Sequence, residues 1–343
     1  MDMRRALYLA TIMLAAVSAG RARAETAAEF YRSHPLTIVL GYSAGGGFDI
    51  YVRDLQRFLG KYIAGNPTIV VQNMPGAGSL TAANYIYNRA PRDGTMVGMS
   101  RAPVMDPLTG TSATAFDATK FTWIGNGMHE LTVCAVLGAP QIKTMQDGAK
   151  YPFTLAGSGP GSDDDMFSKL MMQMFHWKAK LVSGYPGGNE MTQAVDTGEV
   201  DGRCGWSFSS MMIARPQWVT EKKIRFLTAL TVERSKFLPD VPALLEFAKN
   251  DREKQLMKLF ITAETLGRPF MAPPGMPADR TEALRTGFQK AFADPGFIAS
   301  RTASHEEVNP MSGAQMQKTI EELYATPKDL IEEGRAIVAE KEK

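Results

Sequence analysis

Four times in this chain a short apolar run ends in a glycine-rich turn that opens onto a helix-like segment. The turns read GYSAGGGFD (41–49), NMPGAGSLT (73–81), AGSGPGSDD (156–164) and SGYPGGNEM (183–191). A strand that passes through a tight turn into a helix is the building unit of an α/β fold with parallel sheets. In open sheets of that kind, ligands sit at the carboxyl ends of the strands, where these turns lie. The free N–H groups and the dipole of a helix N-terminus favour an anion there, and glycine lets it approach the backbone closely. Two turns fall early and two lie between 156 and 190, so the pattern predicts two similar halves. Together they would offer a cleft rich in N–H donors and nearly free of cationic side chains, which suits a small carboxylate.

Periodicity fills in the rest. β-branched and apolar runs predict strands at 36–40, 68–71, 96–99, 121–124, 131–137, 153–156, 179–182, 200–204 and 224–230. Phe48, Val52, Leu55, Leu59 and Ile63 fall on one face of a helix after the first turn. Further helices are expected at 80–87, 166–175, 190–195, 278–292 and 315–340.

The first 24 residues read as a leader rather than as part of the fold. Arg4 and Arg5 precede an apolar run from Ala6 to Ala19, and Ala22-Arg23-Ala24 forms a cleavage signal before Glu25. The run is shorter than the roughly 20 residues that span a bilayer, so the expected product is exported to the periplasm after cleavage behind Ala24. The formal charge of the whole chain is +2. Removing four arginines and one aspartate with the leader leaves −1. That balance supports neither a nucleic-acid partner nor a polybasic membrane patch. The length suits two domains, each with a core of its own. Cys134 and Cys204 are the only cysteines. In an exported chain they allow one disulfide, with two buried free thiols as the alternative. His34, His129, His176 and His305 lack close metal-ligand spacing, so no metal site is expected.

Gly41-Tyr42-Ser43-Ala44-Gly45 matches the G-x-S-x-G elbow of serine hydrolases. Its context does not suit one. The elbow follows what reads as the first strand of the mature chain, and no earlier loop is present to supply oxyanion donors. By chain order alone, His305 would be the base. A secreted serine hydrolase using Ser43 is therefore the alternative reading. From Gly41 the P-loop register places Gly47 and Phe48 where Lys and Ser/Thr belong, and GAGSLTAA also lacks the lysine, so nucleotide binding is disfavoured. GGGFDI and GAGSLT both miss the third glycine of a dinucleotide fingerprint, and no cofactor is expected.

The stretch from His34 to Met99 closely resembles the start of the Bug (TctC) family, periplasmic receptors of tripartite tricarboxylate transporters. The family reads approximately P-[IV]-x-[IV]-V-x-[PY]-x-A-G-G-x-x-D, then V-x-N-x-P-G-A-G-G, then A-x-P-D-G. These correspond to the loop from Ser43 to Asp49, to Asn73–Ser79 and to Ala90–Gly94. The likeness continues through AGSGPGS, SGYPGGNEMTQAVDTGEVDG, FLPDVPALLEF and FMAPPGMPADRTEALRTGFQKAFADPGF, nearly the whole mature chain.

The resemblance implies a two-domain periplasmic-binding-protein fold (type II), with Rossmann-like domains closing on a ligand about a hinge. Domain 1 would take 25–130 plus 239–343, and domain 2 would take 131–238. Ligand carboxylates would meet the loop Ser43, Ala44, Gly45, Gly46, Gly47, Phe48 and Asp49, and the loop Pro75, Gly76, Ala77, Gly78 and Ser79. From the other domain would come Ser158, Gly159, Gly161 and Ser162, with Tyr185, Gly187 and Gly188. The receptor would be a monomer, catalyse nothing and deliver a small organic carboxylate to membrane permease subunits. A receptor that presents its ligand to a membrane sensor is the further alternative.

Several positions depart from the family. Phe48 stands where a small hydroxyl residue is frequent, and reads as the first core residue of its helix in preference to pocket wall. Asp49 suits either an amino or hydroxyl group of a ligand or simply its helix N-terminus. Asp163, Asp164 and Asp165 replace a stretch that commonly holds a His. They read first as an acidic helix turn stabilised by the dipole, and second as a group that repels another carboxylate. GYPGG lacks the lysine common in PYKGG. Trp206 and Phe208 follow a strand end, where aromatics would line a pocket for an apolar or aromatic acid or else pack in the core. These departures point away from a citrate-like ligand and toward mono- or aromatic carboxylates.

Overall fold

The computed structural model describes residues 25–339 apart from 111, 161 and 305. The leader over 1–24, Gly161 and His305 therefore lie outside the described residues. Two sheets carry the fold. The first has six strands in the order β11-β4-β10-β3-β1-β2. These are β1 (Leu36–Leu40), β2 (Ile69–Asn73), β3 (Met96–Met99), β4 (Thr122–Met128), β10 (Pro269–Ala272) and β11 (Val308–Ser312). The second sheet has the order β7-β6-β8-β5-β9. Its strands are β5 (Thr132–Val136), β6 (Phe153–Ala156), β7 (Ala179–Val182), β8 (Gly202–Ser207) and β9 (Arg225–Ala229).

Both sheets are mixed, which corrects the expectation of parallel ones. Strand β1 pairs in parallel with β2 and β3, and β6 pairs in parallel with β7 and β8. Strand β10 runs antiparallel to β3 and β4, β11 to β4, and β5 to β8 and β9. The strand–turn–helix units make the parallel pairs. The antiparallel strands come where the chain changes sheet: β5 starts three residues after β4, and β10 is the return from the second sheet. A three-residue link is too short for a parallel crossover.

The first helix after a turn, Gly47–Leu59, buries Tyr51, Val52, Leu55 and Leu59 on one face. The helix Asp163–Met174 is started by Ser162, whose Oγ accepts the Asp165 N–H at 3.1 Å. The tail expected as one helix is two, Gly313–Tyr324 and Lys328–Val338. Pro327 separates them, because a proline inside a helix loses a hydrogen bond and clashes with the preceding turn. The helices Ala102–Thr109 and Asp251–Thr265 and the strands β10 and β11 were not foreseen from the sequence.

Each sheet has an apolar cluster of its own, around Leu55, Phe270 and Phe292 in the first and around Val133, Trp206 and Trp218 in the second. A third cluster runs between them. It joins Val104, Leu108 and Trp123 to Phe167 and Leu170 through Met257 and Phe260. Cys134 and Cys204, buried on the neighbouring strands β5 and β8, are bonded to each other. Among the described residues no helix is long and apolar enough to cross a membrane.

Candidate ligand-binding site

The four glycine-rich turns meet along the seam between the two sheets. The 41–49 turn leaves β1 and enters its helix through Gly46. Gly45 sits at φ +80°, a conformation that only glycine adopts without cost. Asp49 holds this turn together. Its carboxylate accepts the Gly45 N–H (3.0 Å), Arg53 Nε (2.9 Å) and Asn73 Nδ2 (2.8 Å). Burial pushes the carboxyl up, and those hydrogen bonds outweigh it, leaving it below the usual range. The side chain is thus taken up by the loop.

The second turn is wound the wrong way for L-residues. Gly76, Ala77, Gly78 and Ser79 follow one another at φ 137°, 47°, 59° and 72°. Left-handed backbone at non-glycine positions such as Ala77 and Ser79 costs about 1–3 kcal/mol each and persists where the surroundings over-determine it. Here Ser100 does so: its Oγ donates to the Ser79 carbonyl (3.0 Å) and lies 2.8 Å from Ser79 Oγ.

Contacts across the seam are close. Ser43 Oγ donates to Glu190 Oε2 at 2.7 Å. The Gly78 N–H donates to the Ser158 carbonyl at 3.1 Å. A side chain at Gly78 would meet the Ser162 nitrogen at 2.5 Å and the Gly159 carbonyl at 3.0 Å. One at Gly47 would run into the Ser210 side chain, and one at Gly187 would lie 3.1 Å from the Ser43 nitrogen. These glycines are the places where one half of the molecule touches the other.

Two cavities lie on this seam. A central one of about 20 Å³ is bounded by Tyr42, Gly47 and Phe48 on one side and by Ser158, Gly188 and Ser207 on the other. That volume holds about one water molecule, so the seam is closed. An outer one of about 370 Å³ lies between Pro75, Gly76 and Ala77 and the facing Gly159, Pro160 and Tyr185, with Ser158 on the wall of both. Tyr185 donates its hydroxyl to Glu199 at 2.5 Å. Ala44 and Gly45 are exposed and line neither cavity. Phe48 is half-buried against the core of the first sheet and also forms cavity wall. Its ring stacks on Tyr42 at 4.0 Å, and the Arg268 guanidinium lies 4.2 Å from its centre.

The prediction of a cleft nearly free of cations is corrected. Arg101 is buried against Asp163 (2.5 Å) and Glu264 (2.6 Å), and Arg203 is buried against Asp164 (2.8 Å). Each cation is matched by the chain's own acid, because a buried charge is tolerated only when paired. The three aspartates therefore do more than complement a dipole. Asp165 accepts the Gly159 N–H (3.0 Å) and Ser183 Oγ (2.6 Å), fixing the third turn. Arginines within the apolar runs MVGMSRAPVM (96–105) and VDGRCGWS (200–207) were the available signal. Of the two readings of Trp206, wall or core, the side chain takes the core one. It is wholly buried, 5.8 Å from Trp218 and covered by Arg203 at 4.8 Å. Phe208 is buried in the same cluster.

Burial raises the Asp164 carboxyl to about 7, against the opposing Arg203, with Asp163 adding to the rise. Burial raises Glu264 to about 7 as well, against Arg101. A carboxyl raised on folding contributes stability that is full below its unfolded value near 4 and is lost as pH rises through about 7. The melting temperature should therefore fall between pH 5 and pH 8, and Asp164→Asn should flatten that fall. An unchanged slope in the variant would remove Asp164 from the account.

Ser43 lacks the strained backbone of a nucleophile elbow. Its hydroxyl is spent on a carboxylate, and its backbone is not among the left-handed residues. Two α/β halves that meet glycine-lined turns across a closed seam define a two-domain solute-binding protein. The sequence profile of the tripartite tricarboxylate transporter family receptor, TctC, matches residues 52–335. The chain belongs to that family, whose members are periplasmic solute-binding receptors. It is 28% identical over 346 residues to the UPF0065 protein in the gbd 5′ region of Cupriavidus necator, covering 96% of this chain and 98% of that one. A UPF0065 protein of Bordetella bronchiseptica is 26% identical over 321 residues, 91% of this chain and 86% of that one. Among solved structures, the periplasmic binding protein BugD superposes with a TM-score of 0.73 at 20% identity, covering 90% of this chain and 99% of that one. MatC from Rhodopseudomonas palustris with bound malate gives 0.71 at 19% identity, with coverages of 90% and 99%. A further R. palustris protein with adipate gives 0.70 at 18%, with coverages of 88% and 97%.

Proposed function

We propose that this receptor captures a small organic monocarboxylate, aliphatic or aromatic, in the seam between its two sheets and delivers it to the permease subunits of a tripartite transporter. The observation that carries the reading is the convergence of helix N-termini at Gly47, Asp163 and Gly188 on one seam. Asp163, Asp164 and Asp165 fill the anion position at the second of these with the chain's own carboxylates. That leaves the Ser43–Phe48 turn, facing Gly187–Glu190, for one carboxylate of a ligand. Malate and adipate are dicarboxylates bound by relatives of the same fold, and the acid-rich seam here argues for a ligand with fewer charges. The domains are 25–130 with 239–343 and 131–238, cleavage follows Ala24, and the receptor works as a monomer.

A thermal-shift screen of mono-, di- and aromatic carboxylates tests this. A ligand at 100 times its Kd stabilises by about 2.7 kcal/mol, so the cognate class should stand out, with monocarboxylates ahead of dicarboxylates. No shift with any acid would remove the reading.

Glu190 is the residue of this seam that a ligand carboxylate must face, since it already occupies Ser43. Glu190→Gln keeps the size and removes the charge, so it should strengthen binding of the best acid by about three- to tenfold. Ser43→Ala should change that affinity only a few fold. An esterase activity that disappears in Ser43→Ala would instead favour the hydrolase.

A further inference from the structure

The outer cavity of the seam, about 370 Å³, has a wall with few hydrogen bonds left to give. Among the described residues that line it there is no Asp, Glu, Lys or Arg. Its side-chain hydroxyls are all spent on the chain's own acids. Tyr185 donates to Glu199 at 2.5 Å, Ser183 to Asp165 at 2.6 Å and Ser158 to Asp164 at 3.3 Å. The backbone adds little. The Gly159 N–H is taken by Asp165, and the Gly184 and Tyr185 N–H groups go to the Gly157 carbonyl. Pro75, Pro160 and Pro186 have no N–H to offer.

A charged group placed here would be desolvated without a partner, which is costly. A carboxylate would also face the three acids that stand behind those hydroxyls, and like charges repel. What the wall offers instead is apolar surface: the Tyr185 ring, three pyrrolidine rings and the Ala77 methyl. Aromatic rings pair favourably in offset or edge-to-face arrangements. Benzene fits an apolar cavity of about 150 Å³, so a ring and a short carbon chain fit this one.

The cavity adjoins the carboxylate turn without including it. Pro186 on its wall is followed by Gly187, which lies against the Ser43 nitrogen, and Ser158 is on the wall of both cavities. No residue from Ser43 to Phe48 lines the outer cavity. A ligand that uses both places needs a few carbons between its charge and its body. We propose that the outer cavity is the specificity pocket of this receptor and takes an aromatic ring joined by a short carbon chain to the ligand's single carboxylate. The inference rests on the carboxylate reading above and narrows it to arylalkanoates.

The test is titration calorimetry of the mature chain with 3-phenylpropanoate, butanoate, 3-cyclohexylpropanoate and 3-(4-carboxyphenyl)propanoate. We expect 3-phenylpropanoate to bind tightest. Butanoate, which lacks the ring, and the diacid, which adds a charge to it, should each bind about tenfold or more weaker. The cyclohexyl acid, equally apolar but not aromatic, should be weaker by about threefold or more. Tyr185→Ala should cost 3-phenylpropanoate about tenfold more than it costs butanoate, and Tyr185→Phe, which keeps the ring, should recover most of that difference. Pro186→Lys places a cation on the wall and should remove most of the penalty on the diacid. Butanoate binding as tightly as 3-phenylpropanoate overturns the pocket, and so does a Tyr185→Ala chain that keeps the full preference. Equal binding of the cyclohexyl acid overturns the aromatic ring, and equal binding of the diacid overturns the exclusion of charge. In these cases the carboxylate reading stands, because acids still bind. No heat with any acid removes that reading and this inference together.

Discussion

Gly47→Ala is expected to weaken binding of the best carboxylate by about a hundredfold while leaving the fold intact. Gly47 opens its helix with ordinary backbone, so alanine costs nothing in conformation there. Its Cβ would instead strike the Ser210 side chain across the seam and lie 3.0 Å from the Ser210 Cα. Packed interfaces do not deform continuously to take an extra methyl. The two halves would stop short of closure, and the ligand would lose its contacts with one of them. Ser210→Gly in the same chain removes the struck atoms and should restore part of the affinity. Titration calorimetry reads both, and a Gly47→Ala protein that binds like the wild type would show that closure at this point is not needed.

The second large effect is on stability. Arg101→Ala should destabilise the protein by about 3–5 kcal/mol, the cost of breaking a buried ion pair from one side. Asp163 and Glu264 would be left buried without their cation. Removing all three charges together, as Arg101→Met, Asp163→Asn and Glu264→Gln, should recover most of the loss, because a buried pair and a neutral replacement are often nearly equal in energy. Chemical denaturation of the single and triple variants separates the cases. A triple variant as unstable as Arg101→Ala would mean that packing of the guanidinium, rather than its charge, carries the effect.

What the sequence made legible follows from which signals are local. The strands 96–99, 153–156 and 179–182 and the helix 278–292 are runs whose composition alone distinguishes them, and they stand where the runs predict. The glycine-rich turns were legible for the same reason. The helix Ala102–Thr109 was not, because Pro103 and Pro107 break its pattern. Strand direction was also out of reach, since the antiparallel placing of β5 and β10 depends on how the chain passes between sheets. In the site, Asp163, Asp164, Arg101 and Arg203 are separated by up to about a hundred residues and acquire their roles only by pairing. Trp206 shows the opposite limit: an aromatic after a strand looks the same in sequence whether it faces a ligand or a second tryptophan.

The central claim is that a carboxylate is held at the seam by the Ser43–Phe48 turn. A crystal structure with the acid that stabilises the protein most tests it directly. The account predicts the carboxylate within hydrogen-bond distance of the N–H groups at Gly46, Gly47 or Phe48, with Gly187–Glu190 closed over it. An acid bound only away from this turn, with the seam as closed as it is without ligand, would contradict it.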